Sequence, residues 1–102
     1  MHKLNVMKQY VITAYDFTDT DAQQRRANVR PHHLDKVREL NANNNYIAGG
    51  AILNADEQMI GSVMMVQFEN DEQMEAWKNN DPYVTERVWE TIDVKPFKQA
   101  VL

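Results

Sequence analysis

A ten-residue segment, Met59 to Phe68, carries apolar side chains on both of its faces. Alternate residues of a strand point to opposite sides of a sheet, so the even-numbered residues from 62 to 68 face one way while Val63 and Met65 face the other. Helices on one side of the sheet would leave Val63 and Met65 bare, and either a second copy of the chain or the N-terminal tail has to cover them. We favour a homodimer.

Three more segments have strand patterns, and two have helical ones. The strands are Gln9 to Phe17, Tyr46 to Leu53 and Glu90 to Phe97, and the helices run from about Asp21 to Asn43 and from Asp71 to Asn79. Gly49 and Gly50 inside the second strand mark a bulge or a place where something approaches the backbone closely. The order strand, helix, strand, strand, helix, strand predicts an α+β fold, the ferredoxin-like βαββαβ sandwich, with an antiparallel sheet and helices packed on one face.

Cap residues and prolines set the predicted helix ends. Thr20 and Gln23 form a capping-box pattern for the first helix. Because the residue before a proline avoids helical angles, that helix is expected to bend or break before Pro31. Pro31 then begins the second part of the helix, since proline is favoured at a first helical position.

The other helix ends are predicted from asparagine and aspartate. Asn43-Asn44-Asn45 ends the first helix, since asparagine tolerates the left-handed conformation of a helix exit, and Asn70 with Gln73 caps the second helix. Asp81 before Pro82 opens a short final helix in the ordinary manner of an N-cap aspartate.

The composition argues against several classes of protein. With 102 residues, 43% hydrophobic and 25% charged, the chain fits one globular domain, which we assign to residues 9–102 after a tail of residues 1–8. No apolar run is long enough to cross a bilayer and no export signal is present, so we expect a cytoplasmic protein without a membrane partner. The net charge of −4 and the scattered basic residues argue against a nucleic-acid partner. Because the chain has no cysteine and only three histidines, one of them in the tail, we expect no metal site and no cofactor.

Two adjacent histidines follow Pro31 at the very start of the helical part that it opens, and helical spacing separates their roles. Adjacent positions on a helix diverge by about 100 degrees, so His32 and His33 cannot share one metal or one task. His33 is in line with Arg30, Val37 and Leu40 on the predicted inward stripe, whereas His32 faces solvent. A buried imidazole at this position either hydrogen-bonds a backbone carbonyl at the edge of the core or takes part in catalysis.

His33, Ser62 and Asp81 can converge at one edge of a ferredoxin-like sandwich. A carboxylate beside an imidazole fixes its tautomer and stabilises the protonated ring, which makes a minimal acid/base device. Arg30, one turn before His33, can hold an anionic group of a substrate. Each residue also has a plain alternative: Arg30 pairs with a surface carboxylate, Ser62 fills a tight strand position, and Asp81 only caps its helix.

Tyr10, Tyr83 and Trp77 have two interpretations. Together with methionines they line a small apolar pocket, in which Tyr10 and Tyr83 would contact a substrate. Alternatively, they belong to the hydrophobic core, as such residues more often do.

The chain resembles the YCII-related family of small cytoplasmic proteins in several short runs: Arg30-Pro31-His32-His33-Leu34, Gly49-Gly50, Gly61-Ser62, and Trp77 through Asp81-Pro82-Tyr83-Val84 to Val94-Lys95-Pro96-Phe97. The similarity spans about Gln9 to Lys98. It implies a ferredoxin-like dimer of the dimeric α+β barrel type. It also implies an active site built on a His and Asp pair, which maps onto His33 and Asp81, with Ser62 lining the same cleft.

Most members of that family have no assigned reaction, and those with one include a dehydrochlorinase acting on chlorinated hydroquinones. This chain departs from the family pattern at two places. Ala51 follows the glycine pair where proline is frequent, and Glu86-Arg87 stands where small residues such as Ala-Gly are usual. We expect the bulk and charge of Glu86 and Arg87 to narrow or polarise the pocket.

Three functional hypotheses follow. The leading one is a small cofactor-independent enzyme in which His33 is the general base or acid and Asp81 orients it. Arg30 and Ser62 would anchor a small polar substrate, aromatic molecules included, that undergoes elimination or hydrolysis. The second is a dimeric small-ligand-binding or accessory domain without turnover. The third is a monooxygenase of the same barrel architecture.

Overall fold

A computed structural model describes residues 6–102, and its element order is the predicted βαββαβ, including the short helix predicted to begin after Asp81. The strands are β1 (Lys8–Asp16), β2 (Tyr46–Leu53), β3 (Met59–Phe68) and β4 (Trp89–Phe97), and the helices are α1 (Ala22–Ala42), α2 (Asp71–Asn80) and α3 (Pro82–Thr85). The ferredoxin-like α+β fold is therefore confirmed. Most of the predicted tail, residues 1–5, lies outside the described residues, while Lys8 belongs to β1 and not to a tail.

The four strands form one antiparallel sheet in the order β2-β3-β1-β4. The register places Ser62 of β3 opposite Ala14 of β1, and it places Trp89 of β4 opposite Asp16 at the end of β1. Because paired residues project to the same side of a sheet, Ser62 and the end of β1 face the helices together. This register brings polar side chains to one end of the core.

The hydrophobic core lies between the sheet and the helices. It contains the alternate residues of β1 and β3 predicted to share a face, packed against helical side chains: Tyr10, Ile12, Ala14, Met64, Val66, Phe68, Val29, Leu40 and Met74. On the opposite face of the sheet, Val11, Val63 and Met65 are only half-buried and Tyr15 is 49% exposed. The two-faced apolar pattern of β3 thus corresponds to one fully covered and one partly open side.

Helix α1 runs without interruption through Pro31, so the predicted break is wrong. A proline removes one backbone hydrogen bond, to the carbonyl four residues earlier, and its ring crowds that carbonyl. Here the affected carbonyl belongs to Ala27, and both residues are exposed, so water can replace the lost donor. The predicted capping box is also wrong: Asp21 is the N-cap without a side-chain bond, and Gln23 Nε2 instead donates to the Met59 carbonyl at 2.9 Å.

The other predicted helix ends are confirmed. Asn44, just beyond α1, adopts a left-handed φ of 62°. The side chain of Asn70 accepts a hydrogen bond from the Gln73 amide at 2.9 Å and begins α2. Asp81 ends α2 and begins α3, where its side chain accepts from the amide of Tyr83. The fold therefore puts Asp81 at a junction between two helices.

The two glycines of β2 stand in different surroundings. A Cβ on Gly49 would lie 2.7 Å from the Val63 carbonyl oxygen and 3.0 Å from the Tyr46 hydroxyl, whereas a Cβ on Gly50 would meet nothing within 4 Å. The β2–β3 register shifts between Tyr46 and Ala48, as the glycine pattern predicted for a bulge or close approach. Gly49 is thus required by the packing of the chain itself.

Gly49→Ala is expected to lower the free energy of unfolding by about 1 to 3 kcal/mol, because the added methyl forces the β2 and β3 backbones apart. Gly50→Ala is the matched control on the same strand, with an expected change within about 0.5 kcal/mol. Urea denaturation followed by circular dichroism measures both values. An unchanged denaturation midpoint for Gly49→Ala would contradict the close approach.

Candidate active site

His33 of α1 and Asp81 at the α2–α3 junction, 48 positions apart in the chain, are in direct contact. His33 Nδ1 lies 2.8 Å from Asp81 Oδ1, and the two residues are only 7% and 1% exposed. A carboxylate oxygen can only accept, so the ring donates its Nδ1 proton to Asp81. The structure thus brings together the pair that the sequence singled out.

Asp81 also caps α3, so both roles considered for it, helix capping and orienting His33, belong to the same side chain. Its Oδ1 accepts from His33 Nδ1 and from the Tyr83 amide, the latter at 2.9 Å. Its Oδ2 is buried and has no partner among residues 6–102. The cap fixes the carboxylate relative to the backbone, and the carboxylate in turn orients the imidazole.

Two aromatic side chains fix the plane of the His33 ring. Tyr83 stacks on it with 3.9 Å between ring centroids and 7° between planes, and Trp89 approaches it edge-on at 5.9 Å and 73°. The second ring nitrogen, Nε2, makes no hydrogen bond within the described part of the chain and is not sealed from solvent. With Nδ1 protonated, a neutral His33 presents a lone pair at Nε2.

We expect the neutral ring of His33 to carry its proton on Nδ1. Long-range ¹H–¹⁵N correlation spectra at alkaline pH measure this tautomer directly, since the protonated and bare nitrogens differ in chemical shift. Exposed His32 is the control and has no such constraint. A neutral His33 with its proton on Nε2 would contradict the donor role assigned to Nδ1.

A buried ion pair lies beside the His33 ring. Arg26 Nη1 donates to both oxygens of Asp16, at 2.8 and 2.9 Å, and Arg26 Nη2 donates to Ser62 Oγ at 2.9 Å. Trp89 Nε1 donates to the same Ser62 oxygen at 3.1 Å. The Arg26 guanidinium also lies over the Tyr83 ring, 4.8 Å from its centroid. Burial raises the pKa of Asp16, against the opposing effect of Arg26.

Sequence reasoning missed Arg26, Asp16 and Trp89, although two of them follow from patterns it used. Arg26 lies seven residues before His33, on the same face of an unbroken helix, but the break expected at Pro31 stopped the helical phase there. Asp16 continues the buried alternation of β1 by one step. Trp89 begins β4, one residue before the predicted strand.

A cleft of about 190 Å³ lies between α1, α3 and the β2–β3 end of the sheet. The cleft is lined by Arg26, Arg30, His33, Leu34, Val37, Tyr46, Gly49, Gly50, Ala51, Ser62, Met64 and Tyr83. Four of the six predicted site residues line this cleft, namely His33, Arg30, Ser62 and Tyr83, and Asp81 lies behind His33.

Arg30 lines the cleft, but it is exposed and does not belong to the inward stripe of α1 on which it was predicted. Arg26 occupies the buried position that was expected for Arg30. Arg30 forms no ion pair with any residue in the range 6–102, so the predicted pairing with a surface carboxylate is absent from the described chain. Its charge is therefore available at the mouth of the cleft.

Tyr10 lies outside the cleft, so the expectation that it lines the same pocket is not met. Its side chain is in the core near α2, where its hydroxyl donates to Asp71 Oδ1 at 2.6 Å. Burial, with the nearby Asp71 carboxylate, raises the pKa of Tyr10 to about 12. Trp77 likewise packs in the core, stacked on Phe68 with 5.7 Å between ring centroids. Tyr46, which the sequence did not single out, contributes the second phenol of the cleft.

The two cleft tyrosines are neutral hydrogen-bonding groups. Burial raises the pKa of Tyr83, although the nearby Arg26 and Arg30 oppose this, and burial also raises the pKa of Tyr46. Neither phenol therefore competes with His33 as a base near neutral pH. Among residues 6–102, no group of three or more His, Asp or Glu side chains is arranged to hold a metal ion.

Glu86 and Arg87 do not narrow the cleft as expected, because neither side chain lines it. Arg87 has a left-handed φ of 59°, a conformation that glycine adopts without strain, and its guanidinium lies over the Phe17 ring at 4.8 Å. The small residues usual at this place are thus explained by the turn between α3 and β4 and not by the pocket.

None of the helices that the structure describes is long and apolar enough to span a bilayer.

Fold and cleft together define a ferredoxin-like α+β protein with a buried His and Asp pair. The sequence matches the YCII-related domain over residues 8–98, and the chain belongs to this family. A curated relative, Protein YciI of Escherichia coli O6:H1, is 34% identical over 97 residues, which cover 89% of this chain and 97% of the relative.

Two solved structures share the fold. One is 5-chloro-2-hydroxyhydroquinone dehydrochlorinase from Burkholderia phenoliruptrix AC1100, in complex with 2,5-dihydroxybenzoquinone, with a TM-score of 0.79, 23% identity, and coverage of 90% of this chain and 95% of that one. The other is a dimeric ferredoxin-like protein of unknown function from Thermobifida fusca YX, with a TM-score of 0.52, 12% identity and 95% coverage of each chain. At these identities the likeness establishes the fold.

Proposed function

We propose that this protein is a small cofactor-independent enzyme that uses His33 and Asp81 for acid/base chemistry on a small polar molecule. The observation that carries the proposal is the 2.8 Å contact between His33 Nδ1 and Asp81, which leaves Nε2 without a hydrogen bond among residues 6–102, in a residue that lines the cleft. Imidazole in this state is a general base at neutral pH, and the carboxylate behind it stabilises the cation that forms.

The proposed reaction is an elimination or hydrolysis. In an elimination, Nε2 removes a proton from the substrate, the electrons of that bond form a new π bond, and the leaving group departs as an anion with its bonding electrons. The imidazolium then returns its proton to solvent. Arg30 at the mouth of the cleft and Ser62 and Tyr83 in its wall bind the polar groups of the substrate.

Support for this reaction class comes from the dehydrochlorinase with the same fold, which was solved with a hydroxylated quinone bound. The competing proposal is a binding domain without turnover, which is favoured by the second task of Asp81 as the cap of α3. In that case the same cleft holds a metabolite and the His and Asp pair is structural.

Chloride release separates the two proposals. The enzyme is expected to release chloride from 5-chloro-2-hydroxyhydroquinone faster than buffer does, and 2,5-dihydroxybenzoquinone is expected to raise the melting temperature of the protein by binding its native state. A thermal shift without chloride release would favour the binding domain. If the protein shows neither chloride release nor a thermal shift, both proposals are contradicted for this class of compound. A panel of small acids and phenols would then test the cleft more widely.

We propose that the protein works as a cytoplasmic homodimer in which the partly open sheet face is covered by a second copy. That face carries the half-buried Val11, Val63 and Met65, and a neighbour of the same fold is dimeric. Light scattering at micromolar concentration is expected to give twice the chain mass of 11.9 kDa. Met65→Lys, which places a charge in this face, is expected to shift the protein towards monomer, and a monomeric wild-type protein would contradict the assembly.

A further inference from the structure

The hydroxyl of Ser62 already accepts two hydrogen bonds. Arg26 Nη2 donates to it at 2.9 Å and Trp89 Nε1 at 3.1 Å. A hydroxyl has two acceptor lone pairs and one proton to donate, and neither a guanidinium nor an indole nitrogen can accept. Both lone pairs are therefore occupied, and the proton of Ser62 has no acceptor among the residues that the structure describes.

The cleft is where a ligand can supply the missing acceptor for Ser62. Ser62 lines the same cleft as His33, and only 4% of its surface is exposed. The bond from the charged Arg26 polarises the hydroxyl and strengthens it as a donor, as successive hydrogen bonds in a buried chain do. A buried donor without an acceptor is costly, so an acceptor atom brought by a ligand gains more here than it would in water.

The charges around the cleft favour an anion at this donor. Two arginines, Arg26 and Arg30, line the cleft, and no carboxylate does so within the described chain. Nη1 and Nη2 of Arg26 already donate to Asp16 and Ser62, and its Nε is buried without a partner among residues 6–102, so Arg26 does not offer a carboxylate an open pair of donors. Ser62 offers one donor, which suits one charged oxygen better than two.

We infer that Ser62 is a specificity-determining residue that binds the single negatively charged oxygen of a phenolate or enolate, while another hydroxyl or acidic C–H of the same molecule faces His33 Nε2. The inference rests on the proposed function and names its substrate class. The cleft, at about 190 Å³, is smaller than the roughly 300 Å³ at the lower end of sites for drug-sized ligands, which suits a substrate of about one small ring.

Binding of para-nitrophenol tests the inference, because its ionised form absorbs visible light and its methyl ether, para-nitroanisole, cannot ionise. The wild-type protein is expected to bind the phenolate at least about tenfold more tightly than the ether, the usual gain of a hydrogen bond to a charged acceptor. Ser62→Ala is expected to reduce this preference to less than about twofold, and Ser62→Thr, which keeps the hydroxyl, is expected to retain most of it.

Two further variants keep the test decisive. Trp89→Phe removes one donor to Ser62, so the hydroxyl no longer has to point its proton at the ligand, and the phenolate preference is expected to fall several-fold. Arg30→Gln is expected to weaken the binding of both probes and to change the preference for the phenolate less than Ser62→Ala does. If Arg30→Gln abolishes the preference while Ser62→Ala or Trp89→Phe leaves it intact, or if benzoate binds more tightly than the phenolate, the inference is overturned.

The readout separates this inference from the proposed function. Binding of the two probes involves no turnover, so equal affinities would overturn the role of Ser62 while leaving acid/base catalysis by His33 untouched. Conversely, a protein that prefers the phenolate but releases no chloride would keep the substrate class and lose the proposed reaction.

Discussion

Replacing His33 by Gln is expected to lower kcat for chloride release by about 10²-fold or more, the range that a positioned general base contributes. Glutamine retains a polar side chain of similar length but cannot take up a proton at neutral pH. The loss is expected in kcat more than in KM, because Nε2 acts in the proton transfer and the other cleft residues still bind the substrate. Steady-state kinetics with a chloride electrode measures both constants.

His32→Gln is the matched control, since it makes the same change on the exposed side of the same turn and is expected to leave kcat unchanged. Asp81→Asn keeps an oxygen that can cap α3 but removes the charge that stabilises the imidazolium, so kcat is expected to fall by about tenfold or more with the fold intact. Full activity of His33→Gln, with unchanged melting temperature, would rule out the proposed base.

Arg26→Met is expected to lower the free energy of unfolding by about 3 to 5 kcal/mol, because it leaves the buried carboxylate of Asp16 without its partner. The same change removes the donor that Ser62 accepts from at 2.9 Å. Urea denaturation at neutral pH measures the effect.

Arg25→Met provides the comparison, because Arg25 forms a similar ion pair with Asp19 at the surface. Such exposed pairs contribute little to stability, so the loss expected for Arg25→Met is much smaller than the loss expected for Arg26→Met. A double variant, Asp16→Leu with Arg26→Met, removes both charges and is expected to recover part of the loss, since the main cost is the unpaired buried charge. Equal effects of Arg25→Met and Arg26→Met would contradict the burial of the Arg26 pair.

Much of the fold could be predicted because its strands and most of its helix ends depend on local patterns. The alternation in β3 gave its bounds and both faces, and Asn70 and Asp81 gave two helix starts through their short-range caps. Pro31 was misjudged because the penalty for proline in a helix depends on where the freed carbonyl points. That direction is a property of the assembled molecule and not of the local sequence.

The candidate site was predictable only in part for a related reason. His33 and Asp81 were found because each stands in a recognisable local context, a helix face and a cap. The Arg26, Asp16 and Ser62 cluster depends on the register between strands and on the phase of α1 across Pro31. Tyr10 was misplaced because a strand pattern tells which face a side chain occupies but not which end of the core it reaches.

One oxygen atom, Asp81 Oδ1, both starts helix α3 and holds the imidazole. Most substitutions at position 81 therefore remove a helix start and a ring orientation in one step, whereas asparagine, serine or threonine can still cap α3 without placing a charge beside the imidazole. Selection for thermal stability alone favours a capping residue here, aspartate included, so the presence of this aspartate does not by itself distinguish a catalytic member of the family from an inactive one.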